Sequence, residues 1–403
     1  MRDLIEQELH GPSVFKDQSK LSFDYVPDEL PGREEEAGQL AQAFRGLLSA
    51  RVPVNVTITG PVGVGKTALS KRFCMEFHRA AEKRGTRVEW TEVNGRKKPS
   101  ASAALLKILQ HFEPRFPDRG FSVSEMLDNL RAQLARREAH LIVVLDEADF
   151  FVKRAGSELI YDLTRFNEDG SGGTVSLLLT GQQHPRAALD EASASTLKIA
   201  AEIALARYGA EPLSRIVRQR VGLAFHPSTV PDDLPELLGE IAAEFGQGSA
   251  RYAIELLEKA GIVADGEGRS RLNAEDVRVA KAETYGVVSE AKLRDLDRHR
   301  QLALLAVARA LKRGDAFVTT GEAEKRYALA CEEHGEAPRA HTQYWNYLKD
   351  LEAAGLLTAR RSGKGMTGAT TLLSLPDVPA RVLEEKMLEI LGKRGSDGLT
   401  TEP

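Results

Sequence analysis

The sequence predicts an α/β domain with a parallel sheet, then a helical bundle, then three helices closed by a β-hairpin. Two observations predict this order. Between residues 23 and 200, four short apolar runs rich in Val, Ile, Leu and Thr alternate with helical stretches, which is typical of buried parallel strands. After residue 201 helical periodicity takes over, until two β-like runs enclose a glycine-rich turn. The four apolar runs are residues 54–59, 87–93, 141–145 and 174–180.

Length and composition exclude several classes of protein. The 403 residues suffice for two or three domains, and 42% apolar with 28% charged residues is ordinary for a globular chain. No run approaches the roughly 18–20 apolar residues of a membrane span, and residues 1–11 lack the features of a secretory signal. Cys74 and Cys331 are too far apart to suggest a metal site and fit a reducing compartment. We therefore expect a cytoplasmic protein that makes no contact with membrane.

The elements divide the chain into five regions. We expect a flexible N-terminal arm over residues 1–22, the α/β core over 23–200 and the helical bundle over 201–288. The bundle contains predicted helices over 214–224, 234–245 and 250–264, and Asn273 is a plausible N-cap for a fourth. In residues 289–378, helices over 301–312, 320–334 and 339–354 precede β-like runs over 356–361 and 370–375, the layout of a winged helix. Residues 379–403 are predicted to form one more helix, over 382–391, and a disordered tail.

Residues 60–67 match the phosphate-loop motif G-x-x-x-x-G-K-[ST], between a predicted strand and a predicted helix. Gly63 and Gly65 allow backbone N–H groups to surround phosphate oxygens, and the following helix directs its positive end at them. Lys66 supplies a charge for the β and γ phosphates, and Thr67 supplies a hydroxyl for Mg²⁺. The predicted ligands are therefore ATP or ADP with Mg²⁺. The predicted binding residues of the loop are Gly60, Pro61, Val62, Gly63, Val64, Gly65, Lys66, Thr67 and Ala68.

A second motif lies at the end of the predicted strand over 141–145, where Asp146 and Glu147 follow the apolar residues. At the carboxyl end of a strand beside the phosphate loop, Asp146 is placed to hold Mg²⁺ through water and Glu147 to activate an attacking water. The letters of residues 146–149 also occur in DEAD-box helicases. Here the phosphate loop lacks the helicase form, no Ser-Ala-Thr motif follows, and no second α/β domain is present.

A phosphate-loop α/β domain followed by a helical bundle is typical of the AAA+ class, in which the bundle forms a lid over the nucleotide. In such lids a helix presents an arginine to the γ-phosphate. Residues 248–253 read Gly-Ser-Ala-Arg-Tyr-Ala and open a predicted helix, so Arg251 is the candidate. The alternative is a solvated arginine at a helix start.

Most of the chain, from about residue 23 to 375, resembles the archaeal initiator proteins related to the eukaryotic origin recognition complex and cell division cycle proteins. The segments that carry the resemblance are 25–36, 93–96, 120–127, 216–225, 248–261, 320–335 and 363–368. The resemblance implies that Val26 and Arg33, in the first of these, lie near the adenine. It also implies that a helical insert within residues 95–120 reaches DNA.

Two departures from that family bear on catalysis. The family usually has an asparagine at the end of the strand after the Asp-Glu pair, where this sequence offers Gln182 or Thr180. The extra methylene of a glutamine moves its amide by more than ~1 Å from the position of an asparagine amide, and errors of that size in the position of a catalytic group lower the rate. Residues 189–197 carry Ala192 and Ala194 where the family has basic residues, leaving Lys198 or Arg186 as substitutes. We therefore expect ATP binding with at most weak hydrolysis. The predicted catalytic residues are Asp146, Glu147, Gln182 and Arg251.

Charge is unevenly distributed along the chain. The net charge is −4, from 55 basic and 59 acidic residues, whereas residues 291–375 hold 14 basic against 10 acidic residues. No acidic residue lies between Ala353 and Pro376, and Arg360, Arg361 and Lys364 are placed to reach phosphates or the minor groove from the wing.

The third helix of the winged-helix region has a predicted core stripe and a predicted DNA face. Tyr344, Tyr347, Leu348 and Leu351 share one face at helical spacing. Arg339, Thr342 and Gln343 lie near the helix start that enters the major groove, and Gln343 or Asn346 is a candidate partner for adenine. Trp345 stacks on a base or packs internally, and we favour packing.

The two functional hypotheses differ in the use of ATP. In the first, the chain binds double-stranded DNA at a replication origin with ATP or ADP as a conformational switch, and helps to recruit the replicative helicase together with other initiator copies. It would then be nucleoid-associated. In the second, it is a DNA-binding paralogue that regulates transcription or plasmid maintenance with little hydrolysis. A clamp loader or an unfoldase does not explain the winged helix.

Overall fold

The computed structural model describes residues 13–50, 52–168, 173–187, 189–285, 290–361, 371–375 and 378–396. These residues form two compact units. The first, here the core unit, contains residues 23–212 and 247–251. The second, here the lid–wing unit, contains the remaining described residues. Within the described residues, no helix is long and apolar enough to cross a bilayer.

The core unit is built on a five-stranded parallel sheet with the order β2-β3-β4-β1-β5. Its strands are β1 (Asn55–Thr59), β2 (Val88–Asn94), β3 (His140–Asp146), β4 (Thr174–Gly181) and β5 (Ile199–Ala204). The four strands expected from the apolar runs are confirmed. β5 escaped prediction because it is an edge strand in which two alanines and a glutamate separate two isoleucines, and of its six residues only Ile203 is buried.

The order of the strands is a feature that the sequence did not predict. β4 lies between β1, which precedes the phosphate loop, and β3, which ends in Asp146. Consequently the end of β4 also contributes to the edge of the sheet where the phosphate loop and Asp146 lie.

Helices cover both faces of this sheet. They are α1 (Glu34–Ala43), α2 (Arg45–Ala50), α3 (Lys66–Glu82), α4 (Ala101–Phe112), α5 (Val123–Arg137), α6 (Ala148–Ala155), α7 (Glu158–Arg165) and α8 (Glu191–Thr196). On one face, α1 and α3 bury Leu40, Phe73 and Cys74 against β1. On the other, α4 to α7 bury an apolar cluster that includes Leu105 and Phe151. α4 is the predicted insert, and its buried face belongs to this core.

The lid–wing unit begins with four helices, α9 (Ala210–Ala224), α10 (Leu234–Glu244), α11 (Ala250–Gly266) and α12 (Ala274–Tyr285), although the starts of α9 and α11 belong to the core unit. Asn273 caps α12 as predicted, since its Oδ1 accepts from the N–H of Glu275 at 2.8 Å. The expected flexible arm differs from the structure over residues 13–22. Val14 and Leu21 are fully buried there, and the Phe15 ring lies 4.8 Å from that of Phe225. Residues 1–12 lie outside the described residues.

The winged-helix domain completes the lid–wing unit. It contains α13 (Glu290–Arg294), α14 (Arg298–Leu311), α15 (Thr320–Glu333), α16 (His341–Ala353) and α17 (Ala380–Ser396), with the strands β6 (Val318–Thr319), β7 (Thr358–Arg361) and β8 (Thr371–Ser374). The antiparallel order is β6-β8-β7. α17 is not a separate appendage, because its Leu383 and Met387 belong to the same buried cluster as α14 and α16. Residues 397–403, expected to be disordered, lie outside the described residues.

A buried ion pair joins the lid helices to the winged helix. Arg278 of α12 is fully buried and pairs with Glu275 at 3.2 Å. Its guanidinium donates to the carbonyl oxygens of Asp315 at 3.0 Å and of Ala316 and Leu375 at 3.4 Å. Glu275 in turn accepts from the first backbone N–H groups of α17. Burial lowers the pKa of Arg278 and the charge of Glu275 opposes this.

Candidate nucleotide and DNA sites

The phosphate loop lies between β1 and α3, as its motif requires. Gly65 caps α3 with φ +90°, and Gly60 has φ +150° with the Leu205 carbonyl oxygen 2.6 Å from the position of a Cβ. The Lys66 ammonium donates to the carbonyl oxygens of Gly60 and Pro61 at 2.7 and 2.6 Å. Burial lowers the pKa of Lys66, while the charges of nearby carboxylates raise it. The loop thus encloses a poorly solvated cation that can exchange its carbonyl partners for phosphate oxygens.

Asp146 lies at the centre of a polar cluster at the end of β3. Its buried carboxylate accepts from Thr67 Oγ1 at 3.0 Å, from Asn94 Nδ2 at 3.3 Å and from the Thr180 hydroxyl. A carboxylate beside a hydroxyl offers the oxygen ligands that Mg²⁺ takes in nucleotide sites, usually completed by water and phosphate. Thr67 and Asp146 therefore fit the predicted metal.

Glu147 is the N-cap residue that precedes α6, with φ +54°, and it forms an ion pair with Arg96. The Arg96 guanidinium also lies 4.6 Å from the centre of the Phe150 ring. Gly95 permits this approach, because a Cβ there would lie 2.8 Å from the Glu147 carbonyl oxygen. The sequence indicated that residues 93–96 resemble a segment of the family, but it gave no sign that Arg96 pairs with Glu147.

The two candidates at the end of β4 have different surroundings. Thr180 is fully buried and bonded to Asp146, whereas Gln182 lies beyond the strand with an exposed side chain. The backbone N–H of Gln182 donates to Asp149 Oδ2 at 3.1 Å. Of the two, Thr180 is the residue that β4 brings to the polar cluster.

Arg33 contacts the backbone of the phosphate loop. It is buried, and it donates to the carbonyl oxygens of Val64 at 3.2 Å and Ala206 at 2.6 Å. Its guanidinium also lies 3.9 Å from the centre of the Tyr208 ring. Val26, the other residue expected near the adenine, is half-buried.

The residues that open α11 meet the phosphate loop within the core unit. The Ala250 N–H donates to the Gly63 carbonyl oxygen at 3.0 Å, and Ser249 lies directly against Gly63. Arg251 follows, 5.2 Å above the Phe23 ring, and its charge contributes to the lowered pKa of Lys66. The structure thus brings Arg251 into the electrostatic surroundings of the loop lysine.

The winged helix separates a core face from an exposed face on α16. The four residues of the core stripe, 344, 347, 348 and 351, are buried as predicted, and Trp345 packs partly buried against them. Thr342 and Gln343 are exposed in the first turn. Arg339 is exposed before the helix and donates from Nε to His299 Nε2 at 3.0 Å.

The wing residues have unequal surroundings. Arg361 is exposed, and Lys364 lies outside the described residues. Arg360 contacts α10 of the same unit: its Nη2 donates to Glu236 Oε2 at 3.1 Å, and its Nε lies 2.8 Å from Glu240 Oε1. Burial raises the pKa of Glu240 to about 7, although Arg360 opposes that shift. Arg360 is therefore held by carboxylates rather than left free for phosphate.

The fold and the phosphate site define an AAA+ protein with a nucleotide-binding core, a helical lid and a C-terminal winged helix. Family models agree along the chain: an AAA domain matches residues 53–189, the Cdc6 AAA+ ATPase-type lid domain 214–282, and the CDC6 C-terminal winged helix domain 291–385. A relative in Sulfurisphaera tokodaii, ORC1-type DNA replication protein 2, is 33% identical over 93% of this chain and 92% of its own length. The chain belongs to the family of Cdc6 and ORC1-type DNA replication proteins.

Solved structures extend the comparison to three dimensions. The crystal structure of Cdc6p from Pyrobaculum aerophilum matches with a TM-score of 0.79 at 26% identity, over 95% of this chain and all of that one. The Aeropyrum pernix ORC1 protein, solved in complex with DNA, matches with a TM-score of 0.60 at 29% identity, over 93% of this chain and 97% of that one.

Proposed function

We propose that this protein is a replication initiator that binds origin DNA through its winged helix and uses ATP and ADP as a conformational switch. The observation that carries the proposal is the site at the end of β3, where Thr67 and Asp146 meet beside the phosphate-loop lysine. It lies in a chain whose relatives are ORC1-type replication proteins. We propose further that it works in the cytoplasm on the nucleoid, with other initiator copies and the replicative helicase as partners.

The nucleotide would act through the residues around the loop. Lys66 and the N–H groups that begin α3 bind the phosphates, while Thr67 and Asp146 hold the Mg²⁺, which supplies charge neutralisation of the phosphates when bound. Arg251 responds to the γ-phosphate. Because α11 continues from Arg251 into the lid–wing unit, a change at the phosphate can be transmitted along one helix to the part of the chain that contains the winged helix.

Hydrolysis requires Glu147 to accept a proton from an attacking water. Two observations favour a slow reaction: Arg96 pairs with Glu147, and the Gln182 side chain is exposed instead of contacting Asp146. The same observations favour the second candidate, a DNA-binding paralogue that retains nucleotide without turnover. Both candidates bind ATP, and they differ in what Glu147 does.

A steady-state ATPase assay separates them. The switching initiator predicts a measurable rate that Glu147→Gln abolishes and that the control Glu158→Gln, an exposed carboxylate, leaves unchanged. A rate below detection in the unaltered protein, with nucleotide still bound, favours the paralogue.

DNA binding is tested separately by fluorescence anisotropy over a salt series. Arg361→Ala should weaken binding across sequences and lower the salt slope by about 0.9 if it removes one phosphate contact. Gln343→Ala should weaken binding to the preferred sequence more than to others. Lys83→Ala, an exposed lysine of the core unit, is the charge-matched control. An unchanged salt slope and an unchanged affinity for DNA in Arg361→Ala would show that Arg361 of the wing does not contact DNA.

A further inference from the structure

A groove of about 570 Å³ lies on the winged-helix domain between the end of α14, the second half of α15 and the start of α17. Five basic side chains, two glutamates and Leu329 line it. No residue of α16, β7 or β8 contributes, so within the described part of the chain the groove is distinct from the face proposed for DNA.

Two of the basic residues neutralise the glutamates. Glu384 pairs with Arg309 at 3.3 Å and with Lys312 at 2.7 Å, and Glu333 pairs with Arg309 at 2.6 Å. Of the other three basic residues, Arg326 pairs with Glu322 at 3.4 Å, and Arg313 and Arg381 are an excess of positive charge at the groove.

The three arginines differ in what they offer a ligand. The Nε of Arg326 is buried and its Nη2 pairs with Glu322 at 3.4 Å, so this side chain is largely committed within the domain. Arg313 and Arg381 are exposed, and neither side chain forms an ion pair within the described residues. Guanidinium groups of this kind bind carboxylates or phosphates through paired N–H donors.

The apolar wall distinguishes between these two ligands. Leu329 is 56% exposed and shares one face of α15 with Arg326 and Glu333, at positions i, i+3 and i+7. A nucleic-acid backbone offers no aliphatic group for Leu329, and its continuous negative charge would approach Glu333 and Glu384. A peptide offers separate carboxylates with an aliphatic side chain between them, which matches both features of the groove.

We propose that this groove binds an acidic peptide segment of a partner protein. An aliphatic side chain of the peptide packs on Leu329, and its carboxylates pair with Arg313 and Arg381. Because the DNA face of the winged helix is not used, the partner and DNA bind the same domain together.

The test uses fluorescence polarisation with the full chain and a fluorescein-labelled 12-residue peptide composed of Glu and Leu. Comparison peptides carry Gln for every Glu or Ser for every Leu. The groove variants are the double charge reversal Arg313→Glu with Arg381→Glu, and Leu329→Ser. The matched control is Lys325→Glu with Lys292→Glu, two exposed lysines of the same domain outside the groove. A 20-base-pair duplex is titrated in parallel.

We expect the acidic peptide to bind, and the double reversal to weaken it by about tenfold or more, because two charge-assisted pairs are lost. Leu329→Ser should weaken binding of the acidic peptide severalfold, and both comparison peptides should bind the unaltered protein severalfold more weakly. The affinity of the control variant for the acidic peptide, and the affinity of every variant for the duplex, should stay within about twofold of the unaltered protein. Absence of binding by the unaltered protein, or equal loss in groove and control variants, overturns the proposal. Competition by the duplex, with duplex affinity lost in the groove variants, identifies DNA as the occupant instead.

Discussion

Arg278→Ala is expected to destabilise the lid–wing unit by loosening the joint between its lid helices and its winged helix. The side chain is fully buried, and it reaches backbone carbonyls of two distant segments, one at Asp315 and Ala316 and the other at Leu375. Alanine leaves these oxygens without their donor and creates a cavity. It also removes the positive partner of Glu275.

The magnitude follows from what is lost and what remains. Removing one partner of a buried ion pair costs about 3–5 kcal/mol. The lower end applies here, because Glu275 keeps the two backbone N–H donors at the start of α17, which stabilise a carboxylate. Two of the three carbonyl contacts are also long, at 3.4 Å. In a domain of this size each kcal/mol shifts the melting temperature by about 2–4 °C, so about 3 kcal/mol corresponds to roughly 10 °C.

Thermal unfolding followed by circular dichroism measures the shift, and hydrogen exchange with mass spectrometry locates it. Exchange should accelerate in α12, around residues 315–316 and at the start of α17, and remain unchanged in the core sheet. Arg271→Ala, an exposed arginine just before α12, should stay within about 0.5 kcal/mol of the unaltered protein. A shift below about 2 °C with unchanged exchange for Arg278→Ala would refute the reasoning.

Three further predictions concern other sites. Arg96→Ala should raise the steady-state ATPase rate by no more than about fivefold, because it frees Glu147 from a largely exposed ion pair; an unchanged or lower rate contradicts this. Gly63→Ala should weaken binding of a fluorescent ATP analogue about tenfold, since its Cβ would lie 2.9 Å from the Ser249 Cβ at a φ of +80°; Gly46→Ala, with open space around it, is the control. Burial raises the pKa of Glu240 to about 7, so the folded unit retains a proton that the unfolded chain releases above its ordinary value near 4.5. The free energy of unfolding of the lid–wing unit should then fall as pH rises from about 4.5 through 7. Urea unfolding at a series of pH values measures it, and Glu240→Gln should make the free energy of unfolding less dependent on pH over that range. An identical pH profile in both proteins would contradict this.

Much of the fold could be predicted because its signals are local. The runs that became β1 to β4 are short and apolar, and the helices of the lid and winged helix follow their periodicity closely. β5 was missed for the same reason, since its two isoleucines are separated by two alanines and a glutamate and form no continuous apolar run. Residues 13–22 were misjudged because their burial depends on helices 200 or more residues later in the chain.

The candidate site was predictable only in part. The phosphate loop and the Asp146–Glu147 pair are contiguous motifs, and their residue types indicate binding of phosphate and Mg²⁺. The choice between Thr180 and Gln182 depended on which residue faces inward at the end of β4, and that depends on the insertion of β4 between β1 and β3. Strand order leaves no trace in local periodicity, because every buried parallel strand shows the same pattern.

By itself the sequence determined the types and order of the elements, the nucleotide motif and the basic character of the C-terminal region. These properties depend on neighbouring residues and on period, which are read directly from the chain. The tertiary structure alone decided that Arg96 pairs with Glu147, that Arg360 is paired with Glu236 and Glu240, and that Arg381 lines one groove with Leu329. The physical reason is that these contacts join residues far apart in the chain, as with the 124 positions between Glu236 and Arg360. Which charges remain available to ligands is decided by such pairings.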